Sequence, residues 1–140
     1  MVKIEIGRLN DDFHMEAVNE SGAKLQMDAS PDIGGKNLGM RPMQVLLSAL
    51  GGCSTVDIIN ILKKQRQPLE DIKITITGER ETGVPVAVYT EAHLHFKLYG
   101  KLDKEKVEKA VSLSVEKYCS VVKTMEGTKI THSFEIIEKK

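Results

Sequence analysis

The chain has 140 residues, 41% of them hydrophobic, enough for one domain with a core of its own and short for two, so residues 1–140 are expected to form a single domain. Its 20 Lys and Arg balance 20 Asp and Glu, which leaves no field of one sign to draw in nucleic acid or a membrane surface, and neither is expected as a partner. The opening MVKIEIGRL lacks the apolar stretch of a signal peptide. The expected setting is therefore cytoplasmic and reducing, where a permanent structural disulfide is disfavoured.

Residues 3–6, 13–18 and 24–27 alternate apolar and polar side chains, and turn-forming clusters at 10–12 and 19–22 separate them. This predicts an antiparallel meander with one apolar face. Residues 30–40, with four glycines and prolines among them, read as a loop. Pro42 suits the first turn of a helix, where its missing N–H costs no helical hydrogen bond. From 43 to about 65 apolar residues cover nearly every face, the pattern of a central helix. Gly51, Gly52, Ser54, Asp57 and Asn60 interrupt that stretch and argue for a buried helix over a membrane span. Lys63, Lys64 and Arg66 suit its C-terminus, and Pro68 follows.

Further strands are predicted at 72–77 and 84–98, with Gly83 in the turn between them. Asp103 is a good N-cap for a helix to about 117, with Val107, Ala110, Val111 and Ser114 on its inner stripe. A short helix at 120–125, ended by Gly127, precedes a last strand at 129–137. The order βββ–α–ββ–αα–β indicates an α+β fold with helices against antiparallel sheet. The charged end, Glu138, Lys139 and Lys140, carries no functional signal.

Two residues can carry chemistry. Cys53 follows Gly51 and Gly52 inside the central helix, where each glycine costs about 1 kcal/mol against alanine. Such a pair implies a close approach, either by a packed neighbour or by a substrate or second sulfur. Cys119 lies at a helix–helix junction, where Ser120 can cap the next helix and a backbone amide would stabilise a thiolate. The residues alone leave two readings open: a redox pair, or two unrelated buried cysteines. There is no CxxC or HExxH, so no metal is expected. His93 and His95 share one strand face and read as solvated, as does His132 on the last strand. The absence of GxGxxG, a P-loop and GxSxG removes the anchors of nucleotide and serine-hydrolase chemistry, and no cofactor is expected.

Gly39-Met40-Arg41-Pro42-Met43-Gln44-Val45-Leu46-Leu47, leading into Ala49-Leu50-Gly51-Gly52-Cys53, together with Val115-Glu116-Lys117-Tyr118-Cys119-Ser120-Val121, resembles the OsmC/Ohr family. The likeness is to its OsmC-like branch and covers essentially the whole order of elements. The resemblance implies an intertwined homodimer in which antiparallel sheets pack around long central helices, with two sites at the subunit interface. In peroxidase members the cysteine matching Cys53 attacks a small organic hydroperoxide and becomes a sulfenic acid. The cysteine matching Cys119 resolves it as a disulfide, which a dithiol such as lipoamide reduces. An apolar pocket for the organic tail belongs to this chemistry.

The sequence departs from the peroxidase pattern at one point. Those members carry asparagine-proline-glutamate before the helix, the glutamate orienting an arginine against the thiolate; here the segment is Arg41-Pro42-Met43. Arg8, Lys36 and Arg41 are the candidate cations, with Arg41 flanking the helix start. Asp57, one helical turn after Cys53, shares its face. A carboxylate there opposes ionisation of a thiol, so Asp57 reads as structural, as a partner for an incoming cation, or as a bond across the dimer. The expected function is a thiol-dependent organic hydroperoxide reductase in oxidative-stress defence, using Cys53 and Cys119. The alternative is a fold that keeps the thiols without strong peroxidase activity and binds a small apolar or thiol-reactive ligand or senses redox state.

Overall fold

The computed structural model describes residues 1–138; Lys139 and Lys140 of the charged end lie outside the described residues. Contacts gather into two compact units, Met1–Leu46 and Leu47–Lys140.

The first unit is the expected meander: β1 (Ile4–Arg8), β2 (Met15–Asn19) and β3 (Lys24–Met27), antiparallel throughout. Side-chain amides set its turns. Asn10 accepts from the amides of Asp12 and His14, and Asn19 from those of Ser21 and Ala23, each carbonyl oxygen replacing a backbone acceptor in the turn. Phe13 falls in the first of these turns, so β2 begins later than its alternation suggests. The register aligns Ile6, Ala17 and Leu25 in one row, the apolar face expected from alternation. Along that row Ala17 is buried, while Ile6 is 59% and Leu25 42% exposed.

The loop after β3 is organised by a residue that alternation does not reveal. The buried Asp28 carboxylate accepts from the amides of Ala29, Lys36 and Leu38. Its desolvation pushes the pKa up, but these amides, with His14 adding to them, outweigh it and hold the carboxyl below its ordinary value.

Helix α1 (Pro42–Lys64) starts with Pro42 in its first turn, as its fixed φ favours. It ends when Arg66 turns left-handed at φ 56°, with Arg66 N–H bonding to the Lys63 carbonyl and Gln67 N–H to the Leu62 carbonyl, a Schellman closure. By length and a mean hydropathy of 1.7, α1 is apolar enough to cross a bilayer. Its packing goes elsewhere: Leu50, Gly51, Ser54, Ile58 and Leu62 are buried, and Gly51 lies against Ile74 and Ile76 of the strand β4 (Asp71–Arg80). The expectation of a helix buried on every side needs correction within the chain, because Val56 is 67% and Ile59 42% exposed.

The second unit adds β4 (Asp71–Arg80), β5 (Tyr89–Tyr99), α2 (Lys104–Leu113), α3 (Ser120–Thr124) and β6 (Lys129–Ile137). Residues 84–88, predicted as strand, are a loop, because Pro85 offers no ladder donor and Arg80 clamps the Ala87 carbonyl at 2.9 and 3.0 Å. The sheet runs β4-β5-β6, with β4 antiparallel and β6 parallel to β5. The α+β class holds, but this sheet is mixed where an antiparallel one was expected. The long helical crossover between β5 and β6 is what permits a parallel neighbour. Ala92, Leu94, Phe96 and Leu98 of β5 pack with Leu50, Ile58 and Leu62 of α1 and with Val107, Ala110 and Val111 of α2 as the buried core. Asp103 caps α2 as predicted, accepting from the amides of Glu105 and Lys106.

Candidate functional site

Helix α2 does not run regularly to residue 117. It ends at Leu113 and continues as a π-helical turn, Ser114–Tyr118, a feature that recurs at functional sites. The wider turn closes with Cys119 N–H on the Ser114 carbonyl at 2.8 Å. Cys119 then takes extended backbone angles and occupies the N-cap position of α3. The cap therefore falls on Cys119 itself; Ser120, expected there, is the first helical residue.

Cys53 is half-buried on α1 and Cys119 is buried, only 3% exposed; both are free thiols. The second unit brings them together, with Cys53 near enough to Cys119 to act on its ionisation. A third group shares the contact: the Ser54 hydroxyl donates to the Cys119 sulfur at 3.4 Å. Ser114 returns the link, its hydroxyl donating to the Ser54 carbonyl at 2.8 Å.

The balance on Cys119 differs from what a helix N-terminus suggested. Burial pushes its pKa above the ordinary thiol value, and neighbouring Cys53 adds to the rise. The Ser54 hydroxyl and the Val122 amide, which faces the sulfur without a regular capping bond, pull the other way and do not prevail. Loss of hydration is the larger effect because almost none of the thiol reaches water. At neutral pH Cys119 is a protonated donor rather than a standing nucleophile.

Cys119 also lines a cleft of about 370 Å³, apolar on the side of Val115, Val122, Met125 and Ile130 and charged where Glu116, Lys117, Lys123 and Glu126 line it. Asp57, one turn beyond Cys53, lines another of about 590 Å³ with Asn60, Lys64, Gln65 and Tyr118. Asp57 Oδ2 and Gln65 Oε1 are buried there without a hydrogen-bond partner among the described residues. The three candidate cations belong to the first unit and both cysteines to the second. Arg8 is engaged in its own turn, donating to the carbonyls of Asp11 and Asp12. The Lys36 amide is bonded to Asp28. Arg41 precedes α1, and its amide donates to Gln44 Oε1 at 3.0 Å.

His93 and His95 do share a face of β5, but β6 hydroxyls engage them: Ser133 bonds both rings and Thr131 bonds His93. Among the described residues no three His, Cys, Asp or Glu side chains gather into a metal-holding group. Sequence reasoning missed Ser54. Its signal was a hydroxyl on the apolar side of a central helix, a group that must find a partner. Ser114, on the predicted inner stripe of α2, carried the same signal.

The family model for OsmC-like protein matches residues 34–133. Protein YhfA of Escherichia coli strain K12 is 43% identical over 98 residues, which cover 69% of this chain and 72% of YhfA. The structure of a hypothetical protein from Aquifex aeolicus VF5 superposes with a TM-score of 0.84 at 32% identity, covering 100% of this chain and 98% of that one. An organic hydroperoxide resistance protein OsmC from Legionella pneumophila superposes with a TM-score of 0.68 at 16% identity, covering 96% of each chain; at that identity the likeness is one of fold.

Proposed function

Because the chain belongs to the OsmC-like protein family, matched over residues 34–133, we propose that it reduces small organic hydroperoxides through Cys53 and Cys119, in defence against oxidative stress. The observation that carries the reading is the contact between two free thiols, one half-buried and approachable, one buried.

Cys53, as the thiolate, attacks the terminal oxygen of the peroxide. The O–O bond breaks, the alcohol departs after taking a proton, and Cys53 is left as a sulfenic acid. Cys119 attacks that sulfur, water leaves, and a Cys53–Cys119 disulfide forms. A dithiol such as dihydrolipoamide returns both thiols and is itself oxidised to its disulfide. The cleft beside Cys119 offers an apolar tail the side formed by Val115, Val122, Met125 and Ile130, although Glu116, Lys117, Lys123 and Glu126 line it as well. Arg41 is the favoured cation and Asp57 a structural or cation-holding partner.

The working form in this proposal is a homodimer in the cytoplasm. Its support is the uncovered apolar surface of α1, with Val56 67% and Ile59 42% exposed, which a second copy would cover. Support for the catalytic reading would come from reduced protein consuming cumene hydroperoxide with dihydrolipoamide as reductant, while Cys53→Ser abolishes consumption and Cys119→Ser leaves a trappable sulfenic acid. Wild-type protein no faster than Cys53→Ser would sink it. Met43, in place of the glutamate of peroxidase members, favours a second reading: a thiol pair that binds an apolar or thiol-reactive ligand or senses redox state. Reversible disulfide formation without turnover would mark that case.

A further inference from the structure

The hydroxyl of Ser54 sits where the first use of the thiol pair leaves a need. We propose that Ser54 is a positioning residue for Cys119: its hydroxyl orients the Cys119 S–H toward Cys53 and stabilises the thiolate that Cys119 becomes when the disulfide is opened. The use of that thiolate rests on the hydroperoxide-reductase reading; the positioning does not.

Ser54 is fully buried, and a buried hydroxyl has one proton to place. Inside a helix a serine commonly returns that proton to the carbonyl one turn back. Ser54 instead directs it at the Cys119 sulfur, 3.4 Å away. The direction is enforced by a closed tie of three bonds. Ser54 holds the sulfur of Cys119, Cys119 N–H holds the Ser114 carbonyl, and the Ser114 hydroxyl holds the Ser54 carbonyl. The π turn makes the tie possible, because its wider ring places Ser114 and Cys119 together against one residue of α1. With Ser54 donating to the sulfur, the thiol's own proton is free to be directed at Cys53, the neighbouring thiol that acts on its ionisation.

The consequence falls on reduction. A dithiol thiolate attacks the Cys53 sulfur of the disulfide and forms a new S–S bond. The electron pair of the old bond moves to Cys119, which leaves as a thiolate. The second thiol of the dithiol gives its proton to Cys119 and, as a thiolate, attacks the mixed disulfide, freeing Cys53. A buried leaving thiolate without a donor is poorly solvated. The Ser54 hydroxyl supplies a charge-assisted hydrogen bond at the moment charge appears, and a better-stabilised leaving thiol departs faster.

The test is a pH titration of Cys119 by the ¹³Cβ shift of labelled cysteine in Cys53→Ser protein, with and without Ser54→Ala. Removing the donor should raise the Cys119 midpoint by on the order of one pH unit. Ser114→Ala, which deletes an equally buried hydroxyl not bonded to the sulfur, should move it less than half as far. In protein with both cysteines, Ser54→Ala should also slow reduction of the disulfide by dihydrolipoamide. Folded Ser54→Ala protein with an unmoved midpoint overturns the proposal. Should Ser54→Ala fail to fold, Ser54→Thr keeps the donor and must hold the original midpoint; a displaced midpoint in folded Ser54→Thr overturns it equally. The titration needs no peroxide turnover, so a shifted midpoint in protein that consumes no hydroperoxide would refute the reductase reading and leave Ser54 positioning Cys119.

Discussion

Gly51 of α1 lies directly on Ile76 of β4: a methyl group added at Gly51 would overlap the Ile76 Cδ1 atom, with Ile74 Cδ1 in contact at 3.5 Å. The adjacent Gly52 has nothing within 4 Å of the same added atom. Neighbouring glycines thus have opposite roles. Gly51→Ala should destabilise the protein by about 1–3 kcal/mol through overpacking. Gly52→Ala should stabilise it by about 0.5–1 kcal/mol by restricting the unfolded chain. Urea unfolding of both variants checks the pair, and a loss at Gly52 would locate a covering surface there.

Asp28 makes the first unit sensitive to acid. Its folded pKa is depressed, because the amides of Leu38, Lys36 and Ala29 overcome its desolvation. Its contribution is therefore complete above the unfolded Asp value of about 3.9 and is lost as pH falls through the lower folded value. Asp28→Asn keeps the shape but removes the charge that three amides address. The variant should be less stable than wild type at pH 7, and the difference should shrink below about pH 4. Unfolding midpoints measured from pH 2 to 7 decide it; parallel curves at every pH would contradict the assignment.

Cys119 acts at the other end of the scale. Its folded pKa is raised by burial and by Cys53, so the folded state holds this proton more tightly than the unfolded chain. The associated stability is present below the unfolded thiol value of about 8.5 and is lost as pH rises above it toward the folded value. Reduced wild-type protein should lose stability over that range, and Cys119→Ala should lose less. Thermal unfolding between pH 7 and 10 under reductant tests this.

Val56 offers a clean test of the homodimer. With 67% of its surface open in the chain, Val56→Lys should change the stability of an isolated protomer by less than about 0.5 kcal/mol. In a dimer that buries this face, the same change desolvates a charge and should convert the protein to monomer. Light scattering on the purified variant separates the outcomes: a variant that remains dimeric places the interface elsewhere.

The order and type of the elements are legible in the amino-acid chain alone. The N-terminal meander, α1, α2 with its Asp103 cap and the final strand all follow from local periodicity and end signals, because those depend on residues a few positions apart. The amino-acid chain also singles out Cys53 and Cys119. Tertiary structure decided what local pattern cannot express. The parallel pairing of β6 with β5 depends on how the helical crossover packs, and a strand's own alternation is the same for either direction. At residues 84–88 the alternating valines suggest strand and Pro85 argues against it; Arg80, holding the Ala87 carbonyl from seven residues away, settles the segment as loop. Asp28 looked like an ordinary loop carboxylate until the chain folded three amides onto it. At the site, the thiol pair was legible as two residue types. Ser54's bond to the Cys119 sulfur and the raised pKa of that thiol exist only once α1 and the π turn exclude water between them, since burial and a contact 65 residues apart are properties of packing.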